Sequence, residues 1–177
     1  MSELSLTGML DTVWTHLTRG KADRKHPARH PSLATIGPNG PEIRTLVLRA
    51  VDRDATTLEL HTDAASPKVN HIGNDPRVAL HVWIPSARLQ IRMRAIAALH
   101  PGDRALFAQL PAEAQTNYAG PAPGADPQAP SPTLSPEDRF TCLLCTITEI
   151  DALLLNTPHS RARFTRDTAW SGAWIAP

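Results

Sequence analysis

Residues 88–95, RLQIRMRA, alternate strictly: Leu89, Ile91, Met93 and Ala95 fall on one side, and Arg88, Gln90, Arg92 and Arg94 on the other. A two-residue period is the repeat of a β-strand, whose successive side chains point to opposite faces. Such a strand lays its apolar face on a core and leaves the cationic face to solvent or a partner. Proline narrows the choice further. There are 17 among 177 residues, nearly twice the background of roughly 5%. Proline removes a backbone donor and breaks helix interiors, so a helix bundle is disfavoured. The length suits one domain over residues 1–177, large enough to bury roughly 70% of the unfolded chain's surface.

Other segments carry patterns of both kinds. Leu4, Leu6, Met9, Leu10, Val13, Trp14 and Leu17 have the spacing of an amphipathic helix over residues 3–18, stopped by Gly20. SLATIG, the turn PNGP and EIRTLVLRAVD predict a hairpin, with TTLELHTD as a third strand. Ser66-Pro67 reads as a helix start, with serine as N-cap and proline in the first helical position. Gly73, Asn74 and Pro76 keep that helix short. RVALHVWIP and RLQIRMRAIAALH are two more strands, followed by a helical segment from Asp103 with Ala105, Leu106, Leu110 and Ala114 on its apolar side. Residues 119–136 are dense in proline with little to bury, and read as a flexible loop or extended arm. FTCLLCTITEI, DALLLN, RARFTR and WSGAWIAP then resume strand patterning. The sum is a mainly β (α+β) fold, a barrel with a few short helices attached.

Composition excludes several functions. A net charge of +1 and 5% aromatic residues suit neither the clustered cations that phosphate backbones demand nor a base-stacking platform. No apolar run is long enough to span a membrane. MSELSLTGMLDTVW lacks the basic start and apolar core of a signal peptide, so a cytoplasmic location is expected. Cys142 and Cys145 have a Cys-x-x-Cys spacing. On a strand, however, residues three apart face opposite ways, which favours packing over zinc or redox chemistry. His61, His71 and His81 fall on different elements, and His26 and His30 lie among prolines, so no metal site is expected.

Chemistry concentrates in residues 42–94. Arg44 and Arg49 sit within an apolar strand on opposite faces. Both could be surface cations with snorkelling stems, yet an unpaired buried charge would be costly. His61-Thr62 ends a strand, and the next helix carries Ser66 and Lys68 in its first turn. A helix N-terminus favours anions, so Lys68 there is in conflict with the dipole unless an anion sits beside it. Gln90, flanked by arginines, offers an amide to a heterocycle edge. Cations for phosphate beside a polar strand face suit a phosphorylated aromatic cofactor, although neither common glycine-rich phosphate loop is present.

The runs RTLVLRAVD, LELHTDAASPKVNHIGNDPRVALHVW and RLQIRMRA together resemble the core of the pyridoxamine 5′-phosphate oxidase-like family, whose members are FMN-binding split β-barrels that dimerise with flavin at the interface. HSRARF and the terminal W-x-x-x-W-I-A-P resemble its closing strands. The resemblance implies a homodimeric, FMN-dependent oxidoreductase acting on an unidentified small molecule. Arg44, Ser66 and Lys68 would hold the phosphate. Gln90 and the backbone of Thr45, Leu46, Val47 and Leu48 would address the ring, with Arg49, His61 and Thr62 as further contacts. Arg163 would come from the other subunit, and His159 and Arg161 would meet substrate. The sequence also departs from the family. Pro67 replaces an arginine before the phosphate lysine, Leu153 replaces a tryptophan near the flavin, and His159 and Arg161 stand in swapped order. LFAQLPAEAQTNY lacks the residues that grip substrate phosphate. A non-catalytic flavin-binding or haem-binding split barrel is the alternative.

Overall fold

The computed structural model describes residues 4–177. Helix α1 (Leu6–Ala22) opens the chain, with the Ser5 hydroxyl accepting from the Gly8 N–H at 3.0 Å. Met9, Leu10, Val13, Trp14 and Leu17 bury its apolar stripe. Gly20 does not stop this helix. It is a point of close approach, where a Cβ would lie 2.5 Å from the Ala28 carbonyl carbon. The helix therefore runs four residues beyond the expected end, and a side chain at Gly20 would push away the turn at Pro27–Arg29.

The strands are β1 (Ser32–Gly37), β2 (Gly40–Thr45), β3 (Leu48–Asp52), β4 (Thr57–Asp63), β5 (Arg77–Ile84), β6 (Leu89–Pro101), β7 (Phe140–Leu154), β8 (Ser160–Thr165) and β9 (Ala173–Ile175). Their pairings are antiparallel, in the order β2-β1-β5-β6-β7-β4-β3, with β8 on β7 and β9 on β8. FTCLLCTITEI and DALLLN, read above as two strands, are the single strand β7. It lies along β6 on one edge and splits its other edge between β4, opposite residues 140–146, and β8, opposite residues 149–154. A bulge at Thr148 separates the halves, since Arg94 pairs with Glu149 and Ala95 with Ile147.

EIRTLVLRAVD, read as one strand, is two. β2 and β3 occupy opposite ends of the sheet order, yet only Leu46 and Val47 join them. Two residues span at most about 11 Å between the flanking Cα atoms. The seven-strand path must therefore curl until its ends nearly meet, leaving an open seam at Leu46–Val47. This is the split barrel, and the run Arg44–Arg49 lies across its seam.

The inner face carries the core, including Leu33, Leu80, Leu89, Ile91, Met93, Ile147, Ile150 and Phe164, with α1 packed against it. Cys142 and Cys145 are buried free thiols, and burial pushes them up to about 11 and about 12. Among the described residues no helix is long and apolar enough to cross a membrane. Phe107, Tyr118 and Phe140 form a second, smaller cluster beside helix α3 (Arg104–Ala108). Phe107 is the buried residue of that helix, while Ala105, expected on the apolar side, is exposed. The proline-rich segment has no regular structure before α5 (Pro136–Arg139), yet its base is fixed. The buried Arg139 donates to the carbonyls of Gly120 (2.7 Å) and Pro121 (3.4 Å) and pairs with Asp63. Helices α2 (Pro67–Asn74) and α4 (Ala112–Gln115) complete the fold.

Candidate functional site

Register separates the expected site residues into two groups. Arg44 pairs with Leu33, which pairs with Leu80, which in turn faces Met93, so Arg44 belongs to the core-facing row at the sheet's edge. Gln90 pairs with Trp83 and with Leu153, and belongs to the outward row. Arg163 also faces outward, opposite Asp151, whose partner is Arg92.

The first group meets at the seam. Arg44 (end of β2), Ser66, Lys68 and Glu42 line a cavity of about 270 Å³, with Pro123 and Gly124 of the proline-rich segment on its rim. The Lys68 ammonium donates to the Thr62 hydroxyl at 3.0 Å and to the Ser66 hydroxyl. Ser66 occupies the N-cap position of α2 but makes no capping bond. The expected cap is thus corrected: the Ser66 oxygen is taken by the ammonium. Burial lowers the Lys68 pKa, the Arg44 charge lowers it further, and Asp63 opposes both. Among the described residues Lys68 forms no ion pair. Two cations drawn together in part-buried surroundings, one disfavoured in its charged form, are what an anion would relieve.

Arg44 is partly engaged already. Its Nη1 donates to the Thr35 hydroxyl (2.7 Å), the Glu42 carbonyl (3.1 Å) and the Leu33 carbonyl (3.3 Å), and its Nη2 to the Glu42 carboxylate (3.0 Å). A guanidinium has five N–H donors. The Nε–H and one Nη2–H therefore remain for a ligand, with no acceptor among the described residues. On the far side of the seam, the Arg49 Nε and the His61 Nδ1 are buried without hydrogen-bond partners among the described residues. Arg49 is the extra residue of a bulge between β3 and β4. His61 donates its Nε2–H to the Glu59 carboxylate (2.8 Å) and packs edge-on to Phe140. Burial lowers the His61 pKa, the bond to Glu59 opposes this, and the Arg49 charge adds to it. Leu48 is wholly buried in the core, so only its backbone can face the seam. The Leu46 N–H is taken by the Pro31 carbonyl at 3.1 Å.

The second group lies on the outward face. Gln90 meets His81, amide nitrogen to imidazole Nε2, at 3.2 Å. Beside it a cavity of about 320 Å³ is lined by His81, Arg92, Arg94, Asp151, Arg161 and Arg163 among others. Arg161 grips Asp151 with two bonds (3.0 and 2.8 Å), Arg92 adds a third (2.8 Å), and Arg163 stands 3.9 Å away. Burial would raise the Asp151 pKa, but the Arg161 hydrogen bond and the Arg92 and Arg161 charges hold it below the usual carboxylate value. His159 is exposed, and its Nδ1 bonds the Asn156 carbonyl.

Residues 11–101, just over half of the chain, match the family described as pyridoxamine 5′-phosphate oxidase, FMN-binding domain. The chain belongs to this family. Among solved structures it resembles a pyridoxamine 5′-phosphate oxidase-related, FMN-binding protein from Nostoc punctiforme PCC 73102, at 27% identity and a TM-score of 0.79, with 99% of this chain and 100% of that one covered. PhzG from Burkholderia lata 383, in complex with tetrahydrophenazine-1-carboxylic acid, shares the fold at 16% identity and TM-score 0.72, covering 95% and 92%. So does a protein related to general stress protein 26 from Clostridium acetobutylicum, at 14% identity and TM-score 0.60, covering 93% and 98%. No curated protein matches the chain.

Within this family's fold, Arg44, Thr62, Ser66 and Lys68 converge, Arg49 and His61 lie across the seam, and Gln90 and Arg163 lie on the other face. One copy therefore does not bring all of them around one ligand. The sequence did not point to Thr35 and Glu42, which bond Arg44, or to His71, which bonds Thr35. Thr35 sits in an unremarkable alternating strand, and only the β1–β2 register reveals its contact with Arg44. Asp151 was missed likewise, because its three arginine partners come from β6 and β8.

Proposed function

We propose that this family member is an FMN-dependent oxidoreductase acting on a small molecule, and that it works as a homodimer with the flavin between copies. The observation that carries the reading is the meeting of Arg44, Ser66 and Lys68 at one cavity, with Lys68 held by Thr62. That corner offers two cations with spare donors, a fit to a phosphate monoester. The buried, unpartnered Arg49 Nε and His61 Nδ1 support a polar ligand at the seam. Arg44, Ser66 and Lys68 would hold the phosphate, and Thr62 would hold Lys68 in place. The backbone of residues 45–48 and Gln90 would address the ring, and Arg163 would be supplied by the second copy. Once bound, FMN supplies the hydride or electron transfer. The protein's own residues bind and orient it, and no side chain is assigned as a catalytic acid or base.

The division of Gln90 and Arg163 from the phosphate corner supports a shared site, since a second copy would bring its outward face to the first copy's seam. The test is the visible spectrum of protein reconstituted with FMN. A flavin spectrum with affinity for FMN well above that for riboflavin is expected. Colourless protein after reconstitution would overturn the reading.

A second reading, flavin binding without turnover, has its own support. Arg161, assigned to substrate by the resemblance, is engaged by Asp151 and by the Ala176 carbonyl, and His159 is engaged by Asn156. Oxidation of pyridoxamine 5′-phosphate, or flavin reduction by NAD(P)H, separates the two: robust turnover of either kind eliminates the binding-only reading.

A further inference from the structure

Arg44 is one member of a ring of four side chains, three of whose four links are hydrogen bonds. Its Nη1 donates to the Thr35 hydroxyl at 2.7 Å, and Thr35 Oγ1 lies 3.2 Å from His71 Nδ1. The Thr35 hydroxyl, with one proton and two lone pairs, can bond the Arg44 guanidinium and His71 Nδ1 at the same time. On the other side of the imidazole, His71 Nε2 stands 3.9 Å from Glu42 Oε1, beyond hydrogen-bond reach. The other Glu42 oxygen, Oε2, accepts from Arg44 Nη2 at 3.0 Å and closes the ring. Thr35 and His71 are both buried, at 1% and 7% exposure, so neither can exchange its partner for water at little cost. Gly37 leaves room for the ring. A Cβ there would lie 2.8 Å from Glu42 Oε1 and 3.1 Å from His71 Cε1.

The ring joins two separate pieces of the chain. Thr35, Glu42 and Arg44 belong to the β1–β2 hairpin at the sheet's end, whereas His71 belongs to α2, the helix whose first turn carries Lys68. The two cations of the phosphate corner therefore come from different elements, and the ring is a polar tie between them. Without it, Arg44 would keep only bonds within its own hairpin, to the Glu42 and Leu33 carbonyls, and nothing would tie its rotamer to α2.

We infer that Thr35 and His71 are positioning residues, which hold the Arg44 guanidinium facing Lys68 so that the pair is set for a phosphate monoester before the ligand arrives. They touch no ligand themselves. The inference rests on the proposed FMN site and adds to it the requirement that the phosphate contact is pre-set by buried neighbours.

The test compares FMN with riboflavin, which differ by the phosphate alone, by fluorescence titration of the full-length apoprotein. Thr35→Val keeps the side chain's shape and removes the hydroxyl, and is expected to lower the preference for FMN over riboflavin by about tenfold. Thr35→Ser is expected to restore that preference, and riboflavin affinity is expected to be the same in all three proteins. In an Arg44→Gln background, Thr35→Val should change the preference no further, because the residue it positions is gone. His71→Asn, read in the same way, provides an independent arm if Thr35→Val does not fold. Equal weakening of both ligands, or an unchanged preference in both variants, would overturn the inference and leave the FMN site standing. A wild-type protein that does not distinguish the two ligands would instead overturn the site, and the positioning role with it.

Discussion

Lys68 is the residue at which the sequence and the structure make the same physical demand. An ammonium in the first turn of a helix opposes the dipole, and here it is also half-buried with Arg44 as its neighbour, so its charged form is disfavoured. The two hydroxyls it holds, Thr62 and Ser66, are neutral acceptors that share its donors without balancing its charge. A bound phosphate would balance it. Lys68→Ala is therefore expected to weaken FMN binding by about 1.5–3 kcal/mol, the range of a charge-assisted hydrogen bond, with riboflavin binding unchanged. Isothermal titration with both ligands checks this, and an unchanged FMN affinity would remove Lys68 from the phosphate site. The linkage has a definite sign. A lysine whose folded pKa is lowered makes the apoprotein less stable below that pKa, and the penalty fades as pH rises toward the unfolded value. Thermal melts of the apoprotein on the alkaline side should show Lys68→Ala losing its stability advantage over the wild type as pH rises.

At the scale of elements, alternation made β5 and β6 legible, because a two-residue period leaves no choice of face once one side is apolar. The Ser66-Pro67 start of α2 was legible for a comparable reason: proline fits the first turn. What the sequence concealed was long-range. Nothing in EIRTLVLRAVD reveals that its halves pair at opposite ends of the sheet, since the apolar run LVL bridges them and the break at Leu46–Val47 has no glycine or proline. Gly20 looked like a stop because a close approach to Ala28 leaves the same residue behind as a helix end does. The second group of site residues depends on pairing too, and Asp151 shows what that pairing does. It ties β7 to β6 through Arg92 and to β8 through Arg161, and its side chain is nearly buried. Asp151→Asn would leave these guanidinium donors facing a neutral amide, and is expected to cost about 1–3 kcal/mol. The folded pKa of Asp151 lies below its ordinary value, so its contribution is present above pH about 4 and is lost as pH falls through the folded pKa. Urea unfolding from neutral to acid pH should show the wild type converging on Asp151→Asn as the carboxylate is protonated. A constant gap between the two would mean that the charge of Asp151 is not what stabilises this region.

For the whole molecule, the outward face of β2-β1-β5-β6 sets the terms. It exposes Ile43 (70%), Ile36 (50%), Ile96 (45%) and Trp83 (39%) beside Arg92 and Arg94. Large apolar side chains gathered on one sheet face and mixed with arginine have the composition of an interface. The same face carries Gln90 and Arg163, the two expected flavin contacts that the phosphate corner of the same copy does not meet. Covering this face with a second copy would bury the apolar residues and bring Gln90 and Arg163 to the other copy's seam, so one event would complete both surface and site. Ile43→Arg is the sharpest substitution. Ile43 shares a cavity with four arginines, Arg92, Arg94, Arg161 and Arg163, against two carboxylates, Glu149 and Asp151, so a fifth cation there adds to an excess of positive charge and would be repelled in a closed arrangement. Sedimentation analysis should find the wild type dimeric and Ile43→Arg monomeric, with the same far-ultraviolet spectrum because the residue lies outside the core. FMN affinity should fall with dimerisation, whereas Lys68→Ala should lower affinity and leave the dimer intact. A dimeric Ile43→Arg would mean that the copies meet elsewhere. A monomer that keeps its full affinity for FMN would show that one copy suffices, and Gln90 and Arg163 would then have no part in holding the flavin.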